Sequence, residues 1–217
     1  MDTAHSRPIQ LNTDGVQLEG RLTIPSEPVG VVLFATDVVN APQSTLEAQL
    51  VEKLTNLGVA SVLTGLLDDS ESADREVRSD VSLLTDRLAS QVDWLDEQPR
   101  LKHLKKLLCG IGTGAAAATS LATQLRGTFA ALTLLNGRVD LAKDSFRELQ
   151  LPLFFCIESS HTHLRDSKME VYEMAGSDTL DKHFLHGMNR DAVPIVARWL
   201  HSQASTTAPS ACASKVE

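Results

Sequence analysis

Apolar and polar residues alternate along the chain in blocks that predict a mostly parallel sheet covered by helices. Residues 29–36 (VGVVLFAT) are apolar at successive positions, which is typical of a strand buried on both faces. Other short, largely β-branched runs predict strands at residues 9–12, 17–24, 59–64, 105–110, 129–135, 151–157 and 169–174. The first two of these flank a turn at Thr13-Asp14-Gly15, so we expect them to form a hairpin.

Stretches with apolar residues at helical spacing lie between the strands. They cover residues 44–57, 79–95, 114–125 and 190–201. The third stretch is rich in alanine, which lets a helix approach a sheet closely, so we expect it to be central. The acidic, polar segment 68–78 predicts a surface excursion. Strands and helices in alternation favour an α/β domain with about eight strands and helices on both faces of the sheet.

Length and composition restrict the function classes. A chain of 217 residues suits one domain, which we place at residues 1–202; the small polar residues 203–217 predict a disordered tail. The formal net charge of -8 argues against nucleic acid or an anionic membrane as the main partner. No apolar run is long enough to span a bilayer, and the N-terminus does not resemble a signal peptide.

Three cysteines at irregular spacing predict neither a disulfide framework nor a zinc motif. Together with the absence of a targeting signal, they favour a reduced, cytoplasmic protein. The sequence leaves both a monomer and a homodimer open.

The segment with the most chemical information is residues 107–118, LLCGIGTGAAAA. A strand enters it, a glycine-rich turn follows, and an alanine-rich helix leaves it. Here the chain resembles the dienelactone-hydrolase-like branch of the α/β-hydrolase superfamily. The resemblance covers residues 17–203 and includes the hairpin, the VVLFA strand, the helix ending near Trp94 and the final ARWL helix. It implies an α/β-hydrolase fold without a separate lid domain.

In that family the strand-to-helix turn has the pattern Gly-x-Ser-x-Gly, and its central residue is the nucleophile. The resemblance places Gly112 at the central position, between Gly110 and Gly114. Glycine has no side chain and cannot form an acyl-enzyme. Thr113 is a poor replacement because it is expected to point away from the site, and Cys109 lies three positions upstream.

The turn also has some similarity to phosphate-binding loops. However, its G-x-G-x-G pattern lacks the glycine spacing of a dinucleotide site, and no lysine follows as in a Walker A loop. We therefore predict no nucleotide and no other cofactor.

The resemblance implies changes at the other catalytic positions as well. The loop after the VVLFA strand supplies an oxyanion-hole amide in the family, but here it begins Thr36-Asp37, and a carboxylate opposes that role. The simpler interpretation is that Asp37 stabilises a turn. The acid position falls near His161. His183 is the candidate base, on the loop expected after the last strand.

A metal site is an alternative interpretation of the histidines. His161 and His163 follow one predicted strand, and His183 and His186 follow the next, so the four can meet at the same sheet edge. A zinc ion bound there would activate water without a serine. The spacing matches no known metal motif, so solvated loop histidines are the simpler interpretation, and we predict no metal.

Two hypotheses on function follow. In the first, the chain is a homologue of the hydrolases without ordinary serine-esterase activity. It would act as a binding or interaction protein for a small carbonyl, ester or lactone ligand, with Thr36, Asp37, Thr113 and His161 as the predicted lining. In the second, it hydrolyses esters or lactones with histidine- or metal-activated water. The fold alone does not decide between them.

Overall fold

A computed structural model describes residues 4–13, 15–37, 45–157, 182–186 and 192–206. Within these residues, eight strands form one sheet in the order β1-β2-β4-β3-β5-β6-β7-β8. Strand β2 is antiparallel to β1 and β4, and the other neighbouring pairs are parallel. The strands are β1 His5–Thr13, β2 Val16–Ile24, β3 Gly30–Thr36, β4 Val59–Gly65, β5 Lys106–Ile111, β6 Phe129–Leu135, β7 Leu153–Ile157 and β8 Lys182–His186.

Helices cover both faces of this sheet. They are α1 Leu46–Asn56, α2 Asp69–Ser72, α3 Arg75–Arg78, α4 Val81–Asp96, α5 Gly114–Gln124, a 3₁₀ turn at Val139–Ala142, α6 Lys143–Arg147 and α7 Ala192–Ser205. Helix α1 packs beside α7, and α4 packs beside α5. No described helix is both long and apolar enough to cross a membrane.

Strand β3 shows why the sheet needs helices on both sides. All of its residues are buried, and successive side chains alternate between the two faces. Leu33 belongs to the core under α4 and α5, together with Leu88. Phe34 belongs to the core under α1 and α7, together with Leu200. The continuous apolar run is therefore divided between two separate cores.

The predicted layout is confirmed for the first seven strands and for the four main helices. Strand β1 begins four residues earlier than predicted, at His5, and β7 begins two residues later, at Leu153. The acidic excursion folds as α2 and α3, which bury no residue. Helix α7 continues through Ser205, so residues 203–205 are helical and do not belong to a tail. Residues 207–217 lie outside the described residues.

The last strand requires a correction. The predicted strand at residues 169–174 lies outside the described residues, and the strand that pairs with β7 is Lys182–His186. The prediction that His183 and His186 lie on the loop after the last strand was therefore wrong, because both belong to β8. Phe184 and Leu185 give this segment a short apolar centre that can pair with β7, although its polar neighbours had indicated a loop.

Candidate functional site

The turn between β5 and α5 lies at the carboxyl end of the parallel strands, where α/β folds place their ligand sites. Its apex is Gly112, in the left-handed region with φ 60°. The Gly112 N–H donates to the Leu135 carbonyl at 3.3 Å, and the Gly112 carbonyl accepts from the Arg138 N–H at 2.8 Å. The apex is thus fixed by hydrogen bonds to β6 and to the turn that follows β6.

The two outer glycines of this turn are required by close packing. A Cβ on Gly110 would lie 2.6 Å from Ala115 Cα, in the first turn of α5. A Cβ on Gly114 would overlap the Ala35 carbonyl and lie 2.9 Å from the Thr36 nitrogen. Both contacts are with backbone, which cannot rotate away. Glycine at these positions lets α5 begin directly against β3 and β5.

The central glycine has a different environment. Among the described residues, a Cβ on Gly112 would meet only Asp37 Oδ2, at 4.0 Å. The described residues therefore leave room for a side chain beside Gly112, and the positive φ is the feature of the apex that favours glycine. We call this space, bounded by Gly112 and Asp37 Oδ2, the Gly112 notch.

Asp37 and Thr113 form the polar wall of the notch. The Thr113 hydroxyl donates to Asp37 Oδ1, which ties the end of β3 to the start of α5. The expectation that Thr113 points away from the site was therefore wrong. Its hydroxyl is turned toward the carboxylate because Asp37 offers it a charged acceptor. The simpler interpretation of Asp37, that it stabilises a turn, agrees with this contact.

The backbone of Thr36 and Asp37 is held from the side of β4. The Leu66 N–H donates to the Thr36 carbonyl at 2.9 Å, and the Leu67 N–H donates to the Asp37 carbonyl at 3.0 Å. Thr36 is only 7% exposed. The loop that carries the carboxylate is therefore anchored at its first two residues.

A buried ion pair supports this anchor. Arg87, which is 2% exposed, donates to both Glu71 oxygens at 2.6 Å and to the Leu66 carbonyl at 2.8 Å. The bond from Arg87 lowers the pKa of the Glu71 carboxyl below its ordinary value. Because Leu66 binds Thr36 through its N–H and Arg87 through its carbonyl, the ion pair is linked to the candidate site through one residue.

Sequence reasoning missed Arg87 because the helix at residues 79–95 was predicted from its apolar residues alone. A signal was nevertheless present in the spacing. Arg87 lies three residues after Leu84 and four before Gln91, and all three are buried on the same side of the helix.

The buried cysteines offer no replacement nucleophile. Burial raises the pKa of the Cys109 thiol far above its ordinary range, and it raises the pKa of Cys156 to about 11. Both thiols are therefore protonated near neutral pH, whereas the thiolate is the reactive form.

Of the candidate histidines, His183 and His186 are described, and both belong to the edge strand β8. His183 pairs with Phe154, in the middle of the sheet, while His186 pairs with Ile157 at the carboxyl end of β7. Following the pairing across β7 and β6 places His186 at the level of Gly112. Three strand spacings separate β5 from β8, or about 14 Å.

The structure thus brings Thr36, Asp37, Gly112 and Thr113 together, with His183 and His186 placed three strands away. His161 and His163 lie outside the described residues. No three described His, Cys, Asp or Glu residues are placed to share a metal ion. The roles of the four histidines, as base, lining or metal ligands, remain predictions.

Comparison with solved structures identifies the fold. The chain superposes on a dienelactone hydrolase from Anabaena variabilis ATCC 29413 with a TM-score of 0.79 and 25% identity, over 92% of this chain and 96% of that one. Est1E from Butyrivibrio proteoclasticus gives a TM-score of 0.72 at 10% identity, over 92% and 99%. The esterase domain of a Rhodothermus marinus protein gives 0.68 at 17%, over 93% and 98%. The chain has the α/β-hydrolase fold.

Comparison of sequences gives a different kind of relative. Two Mycobacterium tuberculosis proteins, from strains CDC 1551 and H37Rv, each named "Putative phosphoribosyl transferase", are 33% identical over 149 residues, which is 69% of this chain. The chain spans about a third of their length, 34%. No family model matches the chain.

Proposed function

We propose that this chain is a dienelactone-hydrolase-like protein whose nucleophile position is vacant, and that it binds a small carbonyl, ester or lactone ligand instead of cleaving it by the serine mechanism. The observation that carries the proposal is Gly112 at the apex of a turn whose outer glycines are sterically required. Acyl transfer needs a hydroxyl or thiol at that apex. The neighbouring Thr113 hydroxyl donates to Asp37, and the Cys109 thiol is buried.

Binding of a carbonyl group is supported by the start of α5. No described residue accepts a hydrogen bond from the backbone N–H of Thr113 or Gly114. Free N–H groups at the first turn of a helix are suited to a ligand carbonyl oxygen. In a hydrolase of this fold the N–H after the nucleophile stabilises the oxyanion, so the proposed site keeps the acceptor-binding part of the machinery and lacks the attacking group.

The activity named for the mycobacterial relatives is not part of this proposal. The match covers a third of each of those proteins, so phosphoribosyl transfer cannot be assigned to the shared segment. The glycine-rich turn also lacks the lysine of a Walker A loop. The shared segment is better explained as a hydrolase-like domain.

A second candidate is ester or lactone hydrolysis by activated water. It is favoured by the position of His186, which reaches the same level of the sheet edge as Gly112. A histidine there would act as a general base toward a water that attacks a bound carbonyl. This candidate predicts an activity that depends on His186 or His183, whereas the first predicts none.

The deciding experiment is hydrolysis of p-nitrophenyl acetate and γ-butyrolactone by wild type, His183→Ala and His186→Ala, each with and without chelator. We expect wild type to show no turnover above either variant. Turnover that disappears in a histidine variant would replace the proposal with the water mechanism, and chelator sensitivity would then indicate a metal.

Binding is measured separately, by titrating γ-butyrolactone against ¹⁵N-labelled protein. The amides of Thr113 and Gly114 are expected to shift, with the Gly127 amide, in a turn before β6, as the internal control. Titration without any shift at the β5–α5 turn would contradict the proposed ligand site.

A further inference from the structure

The Gly112 notch carries information on the charge of its ligand. Asp37 Oδ1 is occupied by the Thr113 hydroxyl, while Oδ2 faces the position where a side chain on Gly112 would begin, at 4.0 Å. The missing side chain therefore leaves a carboxylate oxygen as the polar boundary of the open space. An ionised carboxylate accepts hydrogen bonds and donates none.

The described surroundings do not neutralise this carboxylate. Arg138, whose backbone binds Gly112, is paired with Asp140, and Arg87, which binds Leu66 behind the site, is paired with Glu71. None of the described salt bridges includes Asp37. The negative charge of Asp37 also offsets the positive end of the α5 dipole, and that positive end would otherwise attract anions.

We propose that the notch selects ligands that present an N–H or O–H donor beside their carbonyl group, such as amides, and that it excludes carboxylates. The inference rests on the proposed function, since it specifies the ligand of the same site. The ligand acceptor binds the free N–H groups of Thr113 and Gly114, and its donor binds Asp37 Oδ2. A carboxylate would satisfy the first contact but would be repelled at the second.

Three compounds of nearly the same shape test this selection: benzamide offers a carbonyl acceptor and an N–H donor, benzoate offers acceptors only, and cationic benzamidine offers donors only. Each is titrated against ¹⁵N-labelled wild type, and the dissociation constant is taken from the Thr113 and Gly114 amides. We expect benzamide, which can make both contacts, to bind at least about tenfold more tightly than benzoate and more tightly than benzamidine, which has no acceptor for the two amides. In Asp37→Asn the spread should fall to about twofold.

Two matched variants separate charge from packing. Thr113→Val removes the hydroxyl that binds Asp37 and keeps the carboxylate, so the order of the three ligands should persist. Asp140→Asn removes an exposed carboxylate that is paired with Arg138, and it should change nothing. Loss of the order in Asp140→Asn as large as in Asp37→Asn would overturn the proposal, because the selection would then reflect net charge alone.

A second measurement does not depend on ligand affinity. In Gly112→Cys with Cys212→Ser, the thiol at the apex is modified by a cationic methanethiosulfonate (the ethyltrimethylammonium) and by an anionic one (the ethylsulfonate). The rate ratio of the cationic to the anionic reagent should be about tenfold higher for this thiol than for free 2-mercaptoethanol. Adding Asp37→Asn should remove this difference. Cys109 and Cys156 are buried and give the background rate in the Cys212→Ser parent.

The outcomes distinguish this inference from the proposed function. If benzoate binds as tightly as benzamide, or if the reagent ratio is unchanged in Asp37→Asn, the selection against carboxylates is overturned. A shift with γ-butyrolactone would in that case still support the carbonyl site. No shift with γ-butyrolactone or with any of the three compounds would overturn both.

Discussion

The flanks of the β5–α5 turn and its apex are occupied by the same residue type for different reasons. At the flanks, a Cβ on Gly110 or Gly114 would run into backbone, whereas at the apex a Cβ on Gly112 would have about the normal contact distance to a single carboxylate oxygen. The flanks therefore preserve the fold, and the apex determines the chemistry. Under the proposed function, the turn keeps its packing while the position of the reactive side chain is vacant.

The largest loss of stability is expected when a methyl group is added at a flank of the turn. Gly114→Ala would push Cβ into the Ala35 carbonyl, so β3 and α5 must separate. We expect a loss of about 4 kcal/mol or more in the free energy of unfolding. Urea unfolding followed by circular dichroism measures it. A loss below about 1 kcal/mol would show that the flanks are not sterically fixed.

The next test concerns the support behind Asp37. Arg87→Met removes the buried cation and leaves the partly exposed Glu71 carboxylate unpaired, and breaking such a pair from one side costs about 3 kcal/mol in the free energy of unfolding. Arg138→Met is the matched control, because its pair with Asp140 is about half exposed and is expected to contribute less than about 1 kcal/mol. Equal losses in the two variants would contradict a special role for the buried pair.

The same ion pair predicts a pH dependence. The pKa of Glu71 is lowered in the folded state from its ordinary value of 4.5, so its stabilisation is fully present above that value. It is lost as the pH falls through the lowered folded-state pKa. The stability difference between wild type and Glu71→Gln should therefore be constant at neutral pH and shrink in acid. Urea unfolding at several pH values measures it, and a difference that grows in acid would have the wrong sign.

The smallest effect is expected at the apex. Gly112→Ala has only an ordinary contact with Asp37 Oδ2 among the described residues, but it must adopt a left-handed conformation, which costs about 1 kcal/mol. Gly112→Asn should cost less, because asparagine adopts this region more readily. Urea unfolding of both variants beside Gly114→Ala completes the comparison. If Gly112→Ala lowered the free energy of unfolding as much as Gly114→Ala, the apex would be restricted by contacts as well as by backbone conformation.

The parts of the fold that were predictable from sequence are those with a local physical cause. The run at residues 29–36 is apolar at successive positions because β3 is covered on both faces. The glycines at 110 and 114 mark the turn because no other residue fits against the backbone there. Each of these signals depends on a few consecutive residues, and each led to the right element.

The site could be predicted only in part, because its contacts join distant segments. The hydrogen bond between Thr113 and Asp37 joins residues that are 76 positions apart, and neither segment contains a pattern that predicts the contact. Arg87 was missed because its burial depends on Glu71 from a separate loop. The histidines of β8 were placed on a loop because a short edge strand with two apolar residues has little periodicity.

Helix α7 is the last described element of the chain, yet it supplies a large share of the core on one face of the sheet. Val196, Trp199 and Leu200 cover Phe34 and its neighbours together with α1, while the opposite face is covered by α4 and α5. During synthesis on a ribosome, the α4–α5 face can close once β7 is made, because Leu153 and Phe155 belong to its core, but the α1–α7 face waits for residues 192–206. The nascent chain therefore passes through a stage with one finished and one open face, and the open face is the surface that a chaperone would meet.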